Sequence, residues 1–217
     1  MQKIIVFLGP SLEQTAADKI LSAQYRPPAK RGDLLAAVLE GATIIGLIDG
    51  VFHQESAVAH REILTAVKKG VLVVGSSSMG ALRAAEMDTL GMVGIGEIYR
   101  MYKIGELESD DEVALVFDPS SGMALSEPLI NIRFTLKRAE DAGIINSSEH
   151  DALLAAARSV FYPRRTYRII VSKAGNSLDV KTRERFLVWV ETGQVDQKRV
   201  DAVAALEYIS KISRETS

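Results

Sequence analysis

The sequence predicts an α/β protein: a parallel sheet covered by helices on both faces in the N-terminal part, then a helical C-terminal part. Three observations carry this. The apolar runs Ile4–Leu8, Thr43–Ile48 and Val71–Val74 lack polar alternation, as strands buried on both faces do. Helix-forming segments separate them, which is the strand–helix–strand order of a parallel sheet. From Pro128 onward nearly every segment reads as helix. The expected division is an α/β domain over residues 1–125, carrying the candidate site. A helical part over 126–217 packs on it or serves partner binding.

The elements follow in order. Ile4–Leu8 is the first strand, turned by Gly9-Pro10-Ser11, and Ser11 is placed to cap a short helix over 12–22. Pro27-Pro28 forbid helix in the basic stretch Tyr25–Leu34, which reads as a stiff loop. A helix begins at Leu34–Leu39 and ends at Gly41. The second strand ends in Asp49-Gly50. Ser56–Lys69 is an amphipathic helix with Ala59, Ile63, Ala66 and Val67 on one face. Val71–Val74 is the third strand, and a helix starts near Met79. Residues 93–107 read as a further helix and Val113–Phe117 as a further strand. The remaining helices are expected over 129–143, 147–160, 163–174, 182–192 and 196–213. No internal repeat or low-complexity tract is present.

Composition narrows the function. The 217 residues are 47% apolar with a net charge of −2, so a large core is possible and a nucleic-acid surface is not indicated. With no cysteine there is no disulfide, thiolate catalysis or Cys-ligated zinc. No apolar run of about 18 residues exists, so no membrane span is expected. The five apolar residues Ile4–Leu8 are too short for a signal-peptide core, which points to a cytoplasmic protein.

Ligands of open parallel sheets bind beyond the carboxyl ends of the strands. Here those ends are Gly9-Pro10-Ser11, Asp49-Gly50 and Gly75-Ser76-Ser77-Ser78, which should lie close together. The serine turn allows three roles: a helix cap, a phosphate cradle, or a nucleophile at a strand-to-helix bend. Ser78, with Ser76 before it and Gly80 after it, comes closest to Gly-x-Ser-x-Gly; Ser77 has Gly75 before it. The turn also resembles the nucleophile turn of Clp-type serine peptidases. Of the three histidines, His53 could reach the strand ends, whereas His60 and His150 sit at helix starts. No spacing completes a metal site. Lys30, on a proline-stiffened loop between Arg26 and Arg31, fits either a base or an anion-binding loop.

The blocks "GPSL", "YRPPAKRGDL", "IGLIDGVF", "HREIL" and "GSSSMGALRAAEM" together resemble the TfuA-like protein family, most strongly over residues 3–120. The resemblance implies a partner of YcaO enzymes, which use ATP to activate a peptide-backbone amide. With a TfuA-like protein the amide becomes a thioamide, in a peptide or protein substrate. It implies hydrolysis of a thiocarboxylated ThiS-like sulfur carrier, releasing sulfide for YcaO, and help in engaging the YcaO substrate. It implies a Ser-Lys pair, mapping to Lys30 and to Ser77 or Ser78, with no cofactor and no metal. Gly9, Gly75 and Gly80 would form a narrow slot for the carrier's diglycine tail. Ser11, Asp49 and Ser76 would line the strand-end crevice, and Arg26 and Arg31 would steer the anion. A non-catalytic adaptor for YcaO and its substrate is the alternative. The acidic stretch Gly105–Glu112 and the basic stretch Tyr162–Arg168 are docking candidates or solvated faces.

Overall fold

Five parallel strands carry the first half of the chain in a computed structural model that describes residues 2–52, 56–118 and 122–215. They are β1 (Ile4–Phe7), β2 (Gln24–Arg26), β3 (Ile44–Leu47), β4 (Leu72–Ser76) and β5 (Val93–Ile95), in the spatial order β2-β1-β3-β4-β5. The intervening helices are α1 (Gln14–Ala17), α2 (Asp33–Leu39), α3 (His60–Lys68), α4 (Met79–Met87) and α5 (Glu97–Lys103). They are followed by α6 (Leu129–Asp141), α7 (Ser147–Ser159), α8 (Tyr167–Ala174), α9 (Val180–Gly193) and α10 (Gln197–Glu215).

The uniformly apolar strands are buried on both faces, as expected of a parallel sheet. Ile5, Phe7, Ile45, Leu47 and Val73 point to one core, with Leu34 and Ala37 of α2, Ile63 and Ala66 of α3, and Ala84 and Met87 of α4. Val6, Ile44 and Val74 point to the opposite core. There Ala17 and Leu21 cover one part, and Ala202, Ala205, Leu206 and Ile209 of α10 cover the rest. Those four recur at helical spacing, one apolar stripe of the last helix.

Several elements differ from their sequence-based expectation. Gln24–Arg26 adds to the sheet edge beside β1 before the prolines end it. Residues 93–107 divide into β5 and α5, because Gly96 adopts φ 99° and breaks the helical run. Val113–Phe117 forms no strand; Phe117 makes one bridge, to Ala124. Three helices start late or are short: α1 covers only Gln14–Ala17, α3 begins at His60 and α8 at Tyr167.

The chain forms two units, Met1–Asp110 with Lys198–Ser217, and Asp111–Gln197. The second unit has its own core of Leu129, Ile132, Leu136, Leu153, Ile170, Phe186 and Val190. Its helix α7 starts on a reciprocal cap. Asn146 Oδ1 accepts from Glu149 N at 3.0 Å, and Asn146 N donates to Glu149 Oε2 at 2.8 Å.

One pair, Asp111 with Arg165, joins the acidic and basic stretches inside this unit. Arg165 is fully buried and donates to Asp111 Oδ2 at 2.6 Å and to the carbonyls of Val160 (3.0 Å) and Ala157 (3.2 Å). Glu112 pairs with Arg133 at 2.6 Å. A lysine at 165 has no planar fork to satisfy these acceptors together. Arg165→Lys should therefore cost about 2–3 kcal/mol, read from equilibrium urea unfolding. An unchanged midpoint would contradict the buried guanidinium.

Candidate functional site

Strand β4 ends at Ser76 and α4 starts at Met79, so only Ser77 and Ser78 reverse the chain. So sharp a reversal forces an unusual backbone. Ser77 has φ 65°, and among the described residues no other non-glycine residue has a positive φ. Ser78 N donates to Ser76 O at 2.7 Å, closing a three-residue turn about Ser77. Such a conformation costs about 1–3 kcal/mol and persists only where the surroundings impose it.

The surroundings do impose it. Ser76 Oγ donates to Ile95 O (2.7 Å) or Asp201 O (2.9 Å). Ser77 Oγ lies 2.9 Å from Ser11 Oγ and 2.8 Å from Lys198 O. Gly75 and Gly80 let the strand end and helix start touch. A Cβ on Gly75 would lie 2.3 Å from Gly80 O, and one on Gly80 would lie 1.7 Å from Leu47 O. Gly9 is equally close to Pro28, whose Cγ would lie 2.5 Å from an added Cβ. In the structure Gly75 and Gly80 are sites of backbone contact, and Gly9 packs against the Pro28 ring.

The expected convergence of strand ends is observed. Ser11 Oγ donates to Asp49 Oδ1 at 2.6 Å, while Gly9 N and Ser11 N donate to Asp49 Oδ2 at 2.8 and 3.1 Å. Ser11, Asp49, Ser76, Ser77 and Ser78 are all buried. Ser78 stands at the cap position of α4, yet its side chain makes no cap hydrogen bond. The helix-cap reading of the serines is therefore not what their hydroxyls do.

The basic loop lies alongside. Ala29 N donates to Asp49 O at 2.9 Å and Val51 N to Ala29 O at 3.0 Å, so the residue before Lys30 is stitched to the end of β3. Lys30 itself is exposed, and its side chain makes no hydrogen bond to a serine among the described residues. Arg26 is paired with Glu40 at 2.6 Å; hydrogen bonds from Arg26 and then Lys3 hold the Glu40 carboxyl below its usual range. Arg31 donates from its backbone to Ser56 O at 2.7 Å.

His60 pairs with Glu86 at 2.7 Å and His150 with Asp151 at 3.2 Å, both away from the serine turn's hydrogen bonds. His53 lies outside the described residues. Among the described residues no group of three or more His, Asp or Glu could hold a metal.

Three further residues shape the site without having been singled out from sequence. Glu62 is buried and accepts from Gly32 N (2.8 Å) and Ala59 N (3.2 Å), clamping the basic loop to α3. Its local signal is a glutamate at the third helical position, reaching back to the Ala59 amide; Ala59 has no side chain to complete a capping box. Lys198 and Asp201 close over the turn from 121 and 125 positions away in sequence, with no local signal. Asp201 Oδ2 also accepts from Ile98 N at 2.7 Å, holding the start of α5. A cavity of about 500 Å³, lined in part by Arg31, Phe52, Val58, Met79, Leu82 and Arg83, reaches the first residue of α4 but is not lined by Ser11, Asp49 or the three serines.

The strand order 2-1-3-4-5 is that of a flavodoxin-like doubly wound sheet. Its ligand crevice opens where the chain leaves β1 and β3 toward opposite faces. Ser11 and Asp49 stand at that point, and Ser77 joins them from β4. The first unit is thus an α/β protein with a strained serine at its topological switch point. The chain belongs to the TfuA-like protein family, whose model matches residues 49–166, more than half of its length. No curated protein sequence matches the chain.

Proposed function

We propose that this protein is a serine hydrolase of peptide-backbone thioamidation. It would cleave the C-terminal thiocarboxylate of a ThiS-like sulfur carrier and deliver sulfide to a YcaO enzyme. Ser77 is the nucleophile in this reading. The observation that carries it is the left-handed Ser77, held at the switch point with its hydroxyl in hydrogen-bonding range of Ser11. Strained serines at strand-to-helix bends are how α/β hydrolases present a nucleophile. Family membership supplies the thioamidation setting.

The chemistry balances without a cofactor. Ser77 Oγ attacks the thiocarboxylate carbon and the carbonyl pair moves onto oxygen. In this reading that oxyanion would sit near the start of α4, where helix N–H groups favour negative charge. Collapse expels hydrosulfide, which carries the serine proton, and leaves an ester on Ser77. Water then yields the carrier carboxylate, the regenerated hydroxyl and one proton. Lys30 is the base of the Ser-Lys pair that the family resemblance implies, set on a loop hydrogen-bonded beside Asp49.

The test is sulfide release from a thiocarboxylated carrier. Wild-type protein should release sulfide stoichiometrically with carrier carboxylate. Lys30→Ala should slow it by about 10²-fold or more if the lysine is the base. No release by the wild type would overturn the hydrolase reading. If Ser77→Ala and Ser78→Ala proteins both still support YcaO-dependent thioamidation from that carrier, the protein is an adaptor.

A further inference from the structure

We propose that the turn joining α7 to α8 is a docking surface for a folded protein partner that presents an apolar pocket rimmed by carboxylates. The choice of occupant rests on the reading above: that partner is the YcaO enzyme. No Asp or Glu lies between Asp151 and Asp179, whereas Arg158, Arg164, Arg165, Arg168 and Lys173 do. Arg165 is engaged inside the unit by Asp111. Arg158, Arg164 and Arg168 are exposed, and among the described residues their side chains make no ion pair. Elsewhere Arg26, Arg83, Arg100 and Arg133 each hold a carboxylate.

Among these cations stands an apolar knob. Phe161 is 69% exposed and Ile169 37%. The turn that carries Phe161 is held firmly. The buried Arg165 guanidinium binds the carbonyls of Ala157 and Val160. The amides of Arg164 and Arg165 donate to Phe161 O at 2.9 Å and Tyr162 O at 3.2 Å. The Phe161 ring stands edge-on to Tyr162, with centroids 4.9 Å apart. A ring fixed in this way loses little freedom on binding. Aromatic residues and arginine together are the composition that carries interface energy.

The arginines also oppose their own helix. Helix α8 has no acidic residue in its first turn, where Arg168 stands, and a cation there meets the positive end of the helix dipole. Carboxylates on a partner would relieve this. A nucleic acid would ask for a broad basic face on a chain of positive charge, and this chain carries −2. A membrane surface would ask for a longer apolar face than one ring and one isoleucine.

Calorimetric binding of the purified YcaO enzyme to the whole protein, without carrier, tests this. Phe161→Ala should weaken Kd by about 10-fold or more. Arg164→Glu together with Arg168→Glu should do the same at low salt, with the loss shrinking as salt is raised. The charge-reversed protein should unfold at the wild-type temperature or above it, since an acid now stands in the first turn of α8. A merely structural turn would not lose binding while keeping its stability. Sulfide release from the carrier should be unchanged in these variants, because none alters the contacts of the serine turn. Wild-type affinity for YcaO in both variants overturns the inference. Unchanged YcaO affinity with lost binding of carrier, single-stranded RNA or phosphatidylserine vesicles overturns it too, by assigning the surface elsewhere. A wild-type protein that binds no YcaO overturns both the inference and the partner reading, while sulfide release still decides the hydrolase reading separately.

Discussion

Replacing Ser77 by alanine is expected to abolish sulfide release, by about 10³-fold or more, because in the proposed reaction the ester forms on its hydroxyl. The strained backbone makes a second outcome measurable. Alanine and glycine both remove the hydroxyl and its two buried contacts. They differ in their tolerance of φ 65°. Ser77→Gly should therefore be about 1 kcal/mol more stable than Ser77→Ala, the left-handed penalty of an L-residue less the unfolded-state entropy of glycine. Urea unfolding of the pair reads this difference. If alanine is the more stable of the two, the elbow is not strained. Loss of release in Ser78→Ala with retention in Ser77→Ala would move the nucleophile one residue along the turn.

The largest stability effect is expected at Gly80. A Cβ there would lie 1.7 Å from the Leu47 carbonyl oxygen and 2.7 Å from its carbon, both backbone atoms of the neighbouring strand. No rotamer change relieves such a clash. Helix α4 would have to lift off β3, breaking the Gly80 N to Ile48 O bond of 3.3 Å and unpacking Ala84 and Met87. The gain in helix propensity from glycine to alanine is only about 1 kcal/mol. Gly80→Ala should lose about 4 kcal/mol or more, seen as an unfolding midpoint far below wild type or as insoluble protein. A change under about 1 kcal/mol would mean that α4 does not touch β3 there.

Much of the fold was legible because parallel strands and their helices write strong local patterns. Ile4–Phe7, Ile44–Leu47 and Leu72–Ser76 could be read from unbroken apolar runs. The two short strands were missed for opposite reasons. Gln24–Arg26 is a polar edge strand with little apolar signal, and Val93–Ile95 is three residues between glycines in a stretch that otherwise favours helix. Sequence shows that charges cluster in Gly105–Glu112 and Tyr162–Arg168, not that Asp111 will meet Arg165.

The candidate site divides in the same way. Ser11, Asp49 and the three serines could be placed together from sequence, since each follows a strand and parallel strands deliver their ends to one edge. Which serine bears the strain could not. A φ of 65° at Ser77 is set by the distance between β4 and α4, and residue type encodes no such distance. Nor could sequence show where the Ser77 hydroxyl points. Lys30 attracts notice as a basic residue on a rigid loop, yet its side chain turns to solvent.

By itself, the sequence determined the class of the sheet, the convergence of its polar strand ends and the sharp serine turn between β4 and α4. It also placed a last helix over 196–213, near the observed α10. Only the tertiary structure decided that this helix covers the second face of the sheet, and that Lys198 and Asp201 close over the serine turn. An amphipathic helix states how much of itself must be buried; what buries it is a question of long-range packing.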